Sequence, residues 1–326
     1  MSKTPLIYGT LSLLFFSGCM SGDGGHEILS QEFIHKYGFN ISQEEWDRRD
    51  QEGQIVTVLK NGVKVVTSYE NGILHGPTTH TFPHSSVVEH LFVYEQGTLI
   101  KEALHDKKGV PITETAFEFD DRKIVTTWDQ HGSPLAIEEF DGDFLIEGSF
   151  FTPEHELEGA VEAGFGERFH RDRTGLLVNR ELIENGVVSR RTIYHPNGNI
   201  HSISNYHDDQ LHGEQKKFTS AGQPLMELQW DHGLLEGTKV VYRDGVKASE
   251  IPYSHGQKHG LETHFDESAN KTAEITWRND KKWGASRFFA NNTEETQWFY
   301  NGSLVSEDKF DMLSSRSSLV ADLVLE

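Results

Sequence analysis

The sequence predicts an all-β protein: an elongated antiparallel meander of about ten β-hairpin repeats, each of about 24 residues, with a short N-terminal helical cap. Three observations carry this expectation. Asn-Gly and Asp-Gly pairs recur along the chain, the short segments between them alternate apolar and polar residues, and aromatic residues return at a fixed interval. In one such segment Met226, Leu228 and Trp230 share one face of a strand.

The turn pairs are of the kind that joins two strands directly. Asn-Gly and Asp-Gly tolerate positive φ at both central positions of a type I′ turn, so each pair is expected at the tip of a hairpin. The pairs are Asn61-Gly62, Asn71-Gly72, Asp141-Gly142, Asn185-Gly186, Asn197-Gly198, Asp244-Gly245 and Asn301-Gly302.

Two aromatic series give the repeat its period. The first is Phe218, Tyr242, Phe265 and Phe289, and the second is Tyr206, Trp230, Tyr253, Trp277 and Tyr300. Each unit opens with His-Gly or an equivalent pair, at His212-Gly213, Glu236-Gly237, His259-Gly260 and Trp283-Gly284, with an early copy at His75-Gly76. Rings at strict repeat positions are expected to form the core between hairpins, and the glycines to let the sheet twist or bulge.

Toward the N-terminus the same register is expected in degenerate form. The first series extends back through Phe82, His105, Trp128, Phe151, Phe169 and Tyr194, and the second through Tyr69, Tyr94, Phe117 and Phe140. The step from Phe151 to Phe169 is only 18 residues, which predicts an irregularity around Thr152–Gly166. The acidic residues there lack the spaced ligands of a calcium loop and are expected in a solvated loop. They are Glu154, Glu156, Glu158 and Glu162.

The repeats are expected to form one domain. A single hairpin cannot bury its aromatic face alone, so neighbours stack into a continuous sheet. About twenty strands at roughly 4.8 Å spacing predict a ribbon on the order of 100 Å long. This repeat domain is placed at residues 54–311 and is followed by a C-terminal tail at 312–326.

Residues 31–53 are expected to cap the open edge of the first strands. Ser42, followed three residues later by Glu45, fits a capping box. This pattern predicts a short helix over Glu44–Gln51 that ends before Gly53.

Residues 1–18 have the pattern of a signal peptide. The apolar run Leu6–Phe16 is shorter than the about 20 residues that a membrane-spanning helix needs. The end of this region, Leu14–Cys19, resembles the lipobox of bacterial lipoproteins, in which the cysteine is lipidated and becomes N-terminal after cleavage. The resemblance implies lipidation at Cys19, residues 19–30 as anchor and flexible tether, and a location in the bacterial cell envelope. It favours the outer membrane over the inner one, because Met20 and not aspartate follows the cysteine.

Composition excludes several classes of partner and site. With 30 Lys and Arg against 51 Asp and Glu, the formal net charge is −21. Such an acidic chain is a poor partner for nucleic acid, which carries negative charge itself. A single cysteine cannot form an intramolecular disulfide or a cysteine-rich zinc site.

No catalytic, cofactor or metal motif is present in the sequence. It lacks a G-x-S-x-G elbow, a phosphate-binding loop and a dinucleotide fingerprint, so neither enzyme activity nor a cofactor is expected. The histidines form two groups, His80, His84 and His90, and His195, His201 and His207, neither with the HExxH pattern of zinc enzymes. The histidines of the His-Gly pairs are expected to pack or to hydrogen-bond in turns.

Two stretches, Tyr206–Gly213 and Tyr253–Gly260, resemble the MORN-repeat variant carried by the bacterial YwqK-type antitoxin family. That variant has an aromatic residue, a turn with Gly or Asn, then His-Gly or Glu-Gly, and a second aromatic residue five positions on. The resemblance covers about three quarters of the chain. It implies a single-layer, solenoid-like sheet that holds a partner and has no chemistry of its own.

The expected function is therefore that of a non-enzymatic platform, anchored to the membrane by its N-terminal lipid, for a protein partner of unknown identity. Two alternatives stay open at this point. One is an antitoxin-like protein of the YwqK type that neutralises a toxic partner, and the other is a groove binder of carbohydrate or peptide.

Overall fold

A computed structural model describes residues 27–290 and 293–324 of the chain, with side chains as far as residue 316. The predicted signal peptide, the lipidation at Cys19 and most of the tether lie outside the described residues. Within them the fold is all-β, with 27 strands and two helices. Every strand pairing described is antiparallel and most join chain neighbours, which confirms the predicted meander.

The chain divides into two compact units, Met1–Thr98 and Leu99–Glu326. The elements of the first unit are β1 (Ile28–His35), β2 (Asn40–Ile41), α1 (Gln43–Arg48), β3 (Gly53–Leu59), β4 (Lys64–Glu70), β5 (Ile73–Thr81) and β6 (Val88–Glu95). Strands β3 to β6 form a meander in which each pairs with the next.

The N-terminal segment differs from its prediction. Strand β1 begins at Ile28, inside the predicted tether, and pairs along β3, because β3 offers an edge with free backbone groups. The segment is thus part of the sheet itself. Helix α1 is capped as predicted, since Ser42 Oγ accepts the Glu45 N–H at 3.2 Å. The helix ends at Arg48, however, before the predicted Gln51. Gly53 has φ +136, and the Ile34 carbonyl oxygen occupies the space that a side chain at this position would need.

The second unit contains one long succession of strands. They are β7 (Thr98–His105), β8 (Pro111–Phe117), β9 (Arg122–Trp128), β10 (Pro134–Asp141), β11 (Phe144–Phe151), β12 (Leu157–Glu162), β13 (Phe165–Arg171), β14 (Leu177–Glu184), β15 (Val187–Tyr194), β16 (Ile200–His207), β17 (Gln210–Phe218), β18 (Pro224–Asp231), β19 (Leu234–Leu235), β20 (Gly237–Arg243), β21 (Val246–Ser254), β22 (Gln257–Lys258), β23 (Gly260–Phe265), β24 (Lys271–Arg278), β25 (Lys281–Ala290), β26 (Thr293–Tyr300) and β27 (Ser303–Val305).

Helix α2 (Glu307–Val324) follows the last strand, where a tail was expected from residue 312. Ser306 caps the N-terminus of this helix, because its Oγ accepts the Lys309 N–H at 3.4 Å. Glu307 and Asp308 occupy the first turn, where negative charge interacts favourably with the helix dipole. Phe310 packs on Trp298, with 5.3 Å between ring centroids. None of the helices in the described ranges has the length and hydropathy of a membrane span.

The two edges of the second unit carry different turns. On one edge the turns have two residues, and the first residues of successive turns are Asp120, Gly142, Ala163, Asn185, Asp208, His232, His255, Asn279 and Asn301. Many of these turns hydrogen-bond to the preceding hairpin; the Gly233 N–H donates to the Leu211 carbonyl at 2.9 Å, and the Gly256 N–H to that of Leu235 at 2.9 Å. We call this the stacked-turn edge.

On the opposite edge most turns have five residues, and an Asp or Thr side chain often opens them. Asp129 Oδ1, for example, accepts the N–H groups of His131 (2.7 Å) and Ser133 (2.8 Å). These bonds lower the pKa of Asp129 although its burial acts in the opposite direction. Related turns open at Asp106, Thr152, Asp172, Thr219 and Asp266.

The seven predicted type I′ pairs fall into two groups. Both residues have positive φ in Asn71-Gly72, Asn185-Gly186, Asp244-Gly245 and Asn301-Gly302, as a type I′ turn requires. Only the glycine does in Asn61-Gly62, Asp141-Gly142 and Asn197-Gly198, so the type I′ prediction is wrong there. Asn61 lies inside a four-residue turn and Asn197 inside a five-residue turn, and each side chain accepts the N–H two residues on.

Candidate functional site

The glycines of the repeat signature are bulge positions. Gly76, Gly213, Gly237, Gly260 and Gly284 all have positive φ, between 77° and 110°. At Glu236-Gly237 and His259-Gly260 the bulge splits a strand into two pieces, β19 with β20 and β22 with β23. The expectation that these glycines let the sheet bulge is therefore confirmed, and a side chain at φ +110 would be strained.

The residue before four of the five signature glycines contacts the next turn. The contacts are His75 Nδ1 with the Gln96 N–H (3.3 Å), Glu236 Oε2 with the His255 N–H (2.6 Å), His259 Nδ1 with Asn279 Oδ1 (3.1 Å), and the Trp283 ring with that of Tyr300 (4.8 Å between centroids). This explains why His, Glu or Trp stands there, and it confirms that His75 and His259 hydrogen-bond in turns.

His212 departs from that pattern, because its neighbours are themselves metal-ligand types. Asp231 ends β18, His232 begins the next stacked turn, and His207 lies across the hairpin. The sequence grouped His207 with His195 and His201 instead. In the structure His195 and His201 pack edge to face at 4.7 Å, while His207 belongs to this other cluster.

The aromatic series occupy the predicted strand positions but are only half-buried. This holds for Tyr206, Trp230, Tyr253, Trp277, Phe218, Tyr242, Phe265 and Phe289. Cations cover several ring faces: the Arg191 guanidinium lies 5.4 Å from the Tyr206 centroid, and Lys258 Nζ lies 4.5 Å from that of Trp277. The buried positions in these repeats include Ser204, Ser249 and Ser286 as well as Leu228, so the rings alone do not form the core.

The predicted irregularity exists, but its register differs from the prediction. Arg171, not Phe169, occupies the position before the five-residue turn, which makes the step from Phe151 20 residues. Its guanidinium forms a two-pronged ion pair with Glu158, at 2.6 to 3.0 Å, in place of ring packing. Glu158 is therefore not a solvated loop residue, whereas Glu154, Glu156 and Glu162 are exposed.

This irregular region contains the hydrophobic cluster of the second unit. Phe150, Val161 and Ile183 are at most 2% exposed and pack with Ala136 and Leu145. Val161 and Ile183 fill the two places where the second aromatic series lapses between Phe140 and Tyr206. In strands β10 to β14, aliphatic residues therefore form the buried apolar core that aromatic rings were expected to form.

A buried ionic cluster lies in the same region. Arg168 donates to Glu138 at 2.6 and 3.2 Å and to Glu181 at 3.1 Å, and Arg191 donates to Glu181 at 2.5 Å. Glu138 is 3% exposed and Glu181 is 2% exposed. Although burial opposes its charge, the two carboxylates raise the pKa of Arg168. Both carboxylates are occupied by guanidinium groups, so the cluster is structural in character.

Three exposed phenylalanines lie on successive turns of the stacked-turn edge. Phe119 is 93% exposed, Phe144 54% and Phe165 52%, and we call them the phenylalanine patch. Hydrogen bonds from Gly142 to the Asp121 carbonyl and from Gly164 to that of Ile146 connect the three turns. The flanking acidic residues are exposed; they are Asp120, Asp121, Asp141, Asp143, Glu162 and Glu184. The members of this patch fall outside the two aromatic series, so the repeat pattern does not reveal it.

A shallow depression of about 320 Å³ lies farther along the same edge. Trp283 and Tyr300 form one side, and the Arg278 guanidinium lies 4.7 Å from the Trp283 centroid. Asn279 and Asn301 add side-chain amides to its lining.

Residues 189–208 match the family described as the MORN repeat variant, which confirms that the chain carries this kind of repeat. No curated protein matches the chain. Among solved structures, the chain is similar to the crystal structure of TcdB2-TccC3 without its hypervariable C-terminal region, at 10% identity over 85% of this chain and 19% of that one, with a TM-score of 0.18. The crystal structure of TcdB2-TccC3 matches at 10% identity over 76% of this chain and 17% of that one, with a TM-score of 0.14. The chain therefore spans less than a fifth of the length of either.

Proposed function

We propose that the protein is a non-enzymatic platform of the bacterial cell envelope, anchored by a lipid on Cys19, that binds a partner protein through the phenylalanine patch. The observation that carries the proposal is the exposure of Phe119, Phe144 and Phe165 on consecutive turns of one edge. The match to the MORN repeat variant supports a repeat protein without its own chemistry.

The patch has the composition of a protein interface. Large apolar residues that are exposed together and rimmed by polar groups mark interaction surfaces, and aromatic residues supply much of the binding energy there. Single exposed apolar residues elsewhere on the surface need no such explanation.

The acidic residues around the phenylalanine patch indicate which kind of partner surface would bind there. Asp120, Asp121, Asp141 and Asp143 are exposed beside the rings and add to the net charge of −21. Charge complementarity then favours a partner with an apolar recess surrounded by Lys and Arg, and it disfavours nucleic acid and anionic lipid.

Binding assays on patch variants test the proposal. Replacing Phe119, Phe144 and Phe165 together by Ala should abolish recovery of the partner in pull-downs from intact, crosslinked envelopes. The matched control is Leu157→Ala, because Leu157 is 63% exposed but lies on the opposite edge. Equal recovery with the triple variant and the control would contradict the proposed surface. A toxic partner, silenced by this chain, would identify it as the antitoxin-like protein.

The anchor is tested separately. Cys19→Ala, or treatment with the lipoprotein signal-peptidase inhibitor globomycin, should leave an unprocessed or soluble chain. Unchanged size and membrane partition after both treatments would contradict the lipid anchor. This result would not affect the proposed binding surface, which the phenylalanine variants test separately.

A second candidate function, binding of a carbohydrate or peptide in a groove, is favoured by the depression at Trp283 and Tyr300. Aromatic rings next to amide side chains suit sugar rings, although Arg278 already lies over Trp283. Trp283→Ala should abolish binding of an oligosaccharide panel to the purified chain, while Trp230→Ala should not. The absence of any oligosaccharide or peptide binding to the unsubstituted chain would exclude this candidate.

A further inference from the structure

We propose that His207, His212, Asp231 and His232 form a binding site for a zinc ion on the stacked-turn edge. The inference is independent of the partner-binding proposal, because the phenylalanine patch lies on other turns. It rests on four ligand-type side chains that three different strands and one turn bring together.

The repeat geometry explains why these side chains meet. His207 ends β16, His212 lies in β17 and Asp231 ends β18. The stacking bond from the Gly233 N–H to the Leu211 carbonyl, at 2.9 Å, holds the turn that carries His232 against the start of β17. His232 has φ +44, a left-handed backbone conformation that the two-residue turn requires.

The distances suit a site that closes around a small cation. Ligand atoms of His212, Asp231 and His232 all lie within 4.8 Å of one another. The His207 ring centroid lies 5.7 Å from that of His212 and 6.2 Å from that of His232. Tetrahedral zinc with ligands at about 2.0–2.1 Å needs donor atoms on the order of 3.3 Å apart. Small rotations of these solvent-accessible side chains would bring the donor atoms of His212, Asp231 and His232 from within 4.8 Å of one another to this separation.

The hydrogen bonding leaves nitrogen lone pairs free for a metal. His232 Nδ1 lies 2.7 Å from Asp231 Oδ1, and because an ionised carboxylate only accepts, Nδ1 carries the proton and Nε2 the lone pair. Asp231 Oδ1 thus orients the His232 ring, and the other carboxylate oxygen, Oδ2, can serve as the ligand. His212 Nδ1 makes no hydrogen bond among the described residues, and it lies 3.4 Å from Asp231 Oδ1. Coordination of a metal would give this nitrogen a partner.

Neighbouring repeats show what the same positions do without a metal. His259 contacts Asn279, and Glu236 binds the backbone of the His255 turn. Among the described residues, the His212 position alone belongs to a group of three ligand-type side chains, together with Asp231 and His232. Three imidazoles with one carboxylate are a ligand set that zinc accepts and that magnesium and calcium, which prefer oxygen, do not.

The test uses the full chain with a histidine-free affinity tag and Cys19→Ser, which prevents lipidation and leaves no thiol to compete for zinc. Isothermal titration with zinc chloride should show one site per chain. Cobalt should produce the visible absorption of a four-coordinate ion. His232→Asn, which keeps a residue suited to positive φ, should weaken zinc binding about tenfold or more.

The matched control is His255→Asn, because His255 occupies the same turn position one repeat later, with φ +51. It should leave zinc affinity unchanged. His212→Gln, in a strand, checks the site by a variant that does not alter a turn. Absence of zinc binding, or equal loss of affinity in His232→Asn and His255→Asn, would overturn the proposal.

Discussion

Replacing Arg168 by Met should strongly destabilise the second unit. The change removes two hydrogen bonds to Glu138, which is 3% exposed, and one to Glu181, which is 2% exposed. Glu181 keeps Arg191, whereas Glu138 loses the cation that neutralises it. Leaving a buried charge without its partner costs about 3–5 kcal/mol, so we expect a loss in that range.

Equilibrium urea unfolding measures this effect. With a denaturant slope of about 3 kcal/mol/M, the midpoint should fall by about 1–1.7 M. Arg180→Met is the control, because the Arg180–Glu167 pair is exposed and an exposed pair contributes at most about 1 kcal/mol. Adding Glu138→Met to Arg168→Met should restore much of the loss, since apolar replacement of a whole buried pair is often neutral. A midpoint for Arg168→Met equal to that of Arg180→Met would refute the reasoning.

Two other outcomes are expected. Burial, followed by the positive charge of Arg168, holds the pKa of His170 below its ordinary value of 6.5. The unfolded chain then binds more protons than the folded chain, so the contribution of His170 to folding stability is fully present above about pH 6.5 and is lost as the pH falls below it. His170→Gln should flatten this decline in urea midpoints measured between pH 7.5 and 5.5. An unchanged pH profile would contradict this expectation. Gly260→Ala should cost about 1–3 kcal/mol in thermal unfolding, because φ there is +110 and the new Cβ would lie 3.2 Å from Pro252 Cγ; an unaltered melting temperature would disprove the strain.

Local sequence signals predicted the features of the fold that depend on nearby residues. Strand alternation, the glycine bulges and the Ser42 cap each require only a short stretch of chain, and each is confirmed. The repeat period was recognisable because the rings of Tyr206 to Tyr300 recur in equivalent strands. The Asp-x-x-Gly turns, such as Asp106 to Gly109, carry a comparable local signal, because the Asp side chain accepts backbone N–H groups of its own turn.

The features that were missed depend on contacts between residues distant in sequence. Arg168 meets Glu138 from 30 residues away, and no spacing rule marks such a pair. Arg171 replaces a ring with an ion pair to Glu158, so a search for aromatic residues alone misplaces the register by two residues. His232 joins His212 only because one turn stacks on the preceding hairpin. Strand β1 forms because β3 has a free edge, which its own sequence does not reveal.

Photocrosslinking in intact cells tests most directly whether the phenylalanine patch binds a partner protein. Asp143 is exposed beside Phe144, so a photoreactive amino acid at position 143 lies within the patch. We predict a single protein adduct from position 143. It should be absent from position 157 on the opposite edge and lost when Phe119, Phe144 and Phe165 are replaced by Ala. Adducts of the same pattern from positions 143 and 157, or no protein adduct from position 143, would contradict the proposed platform.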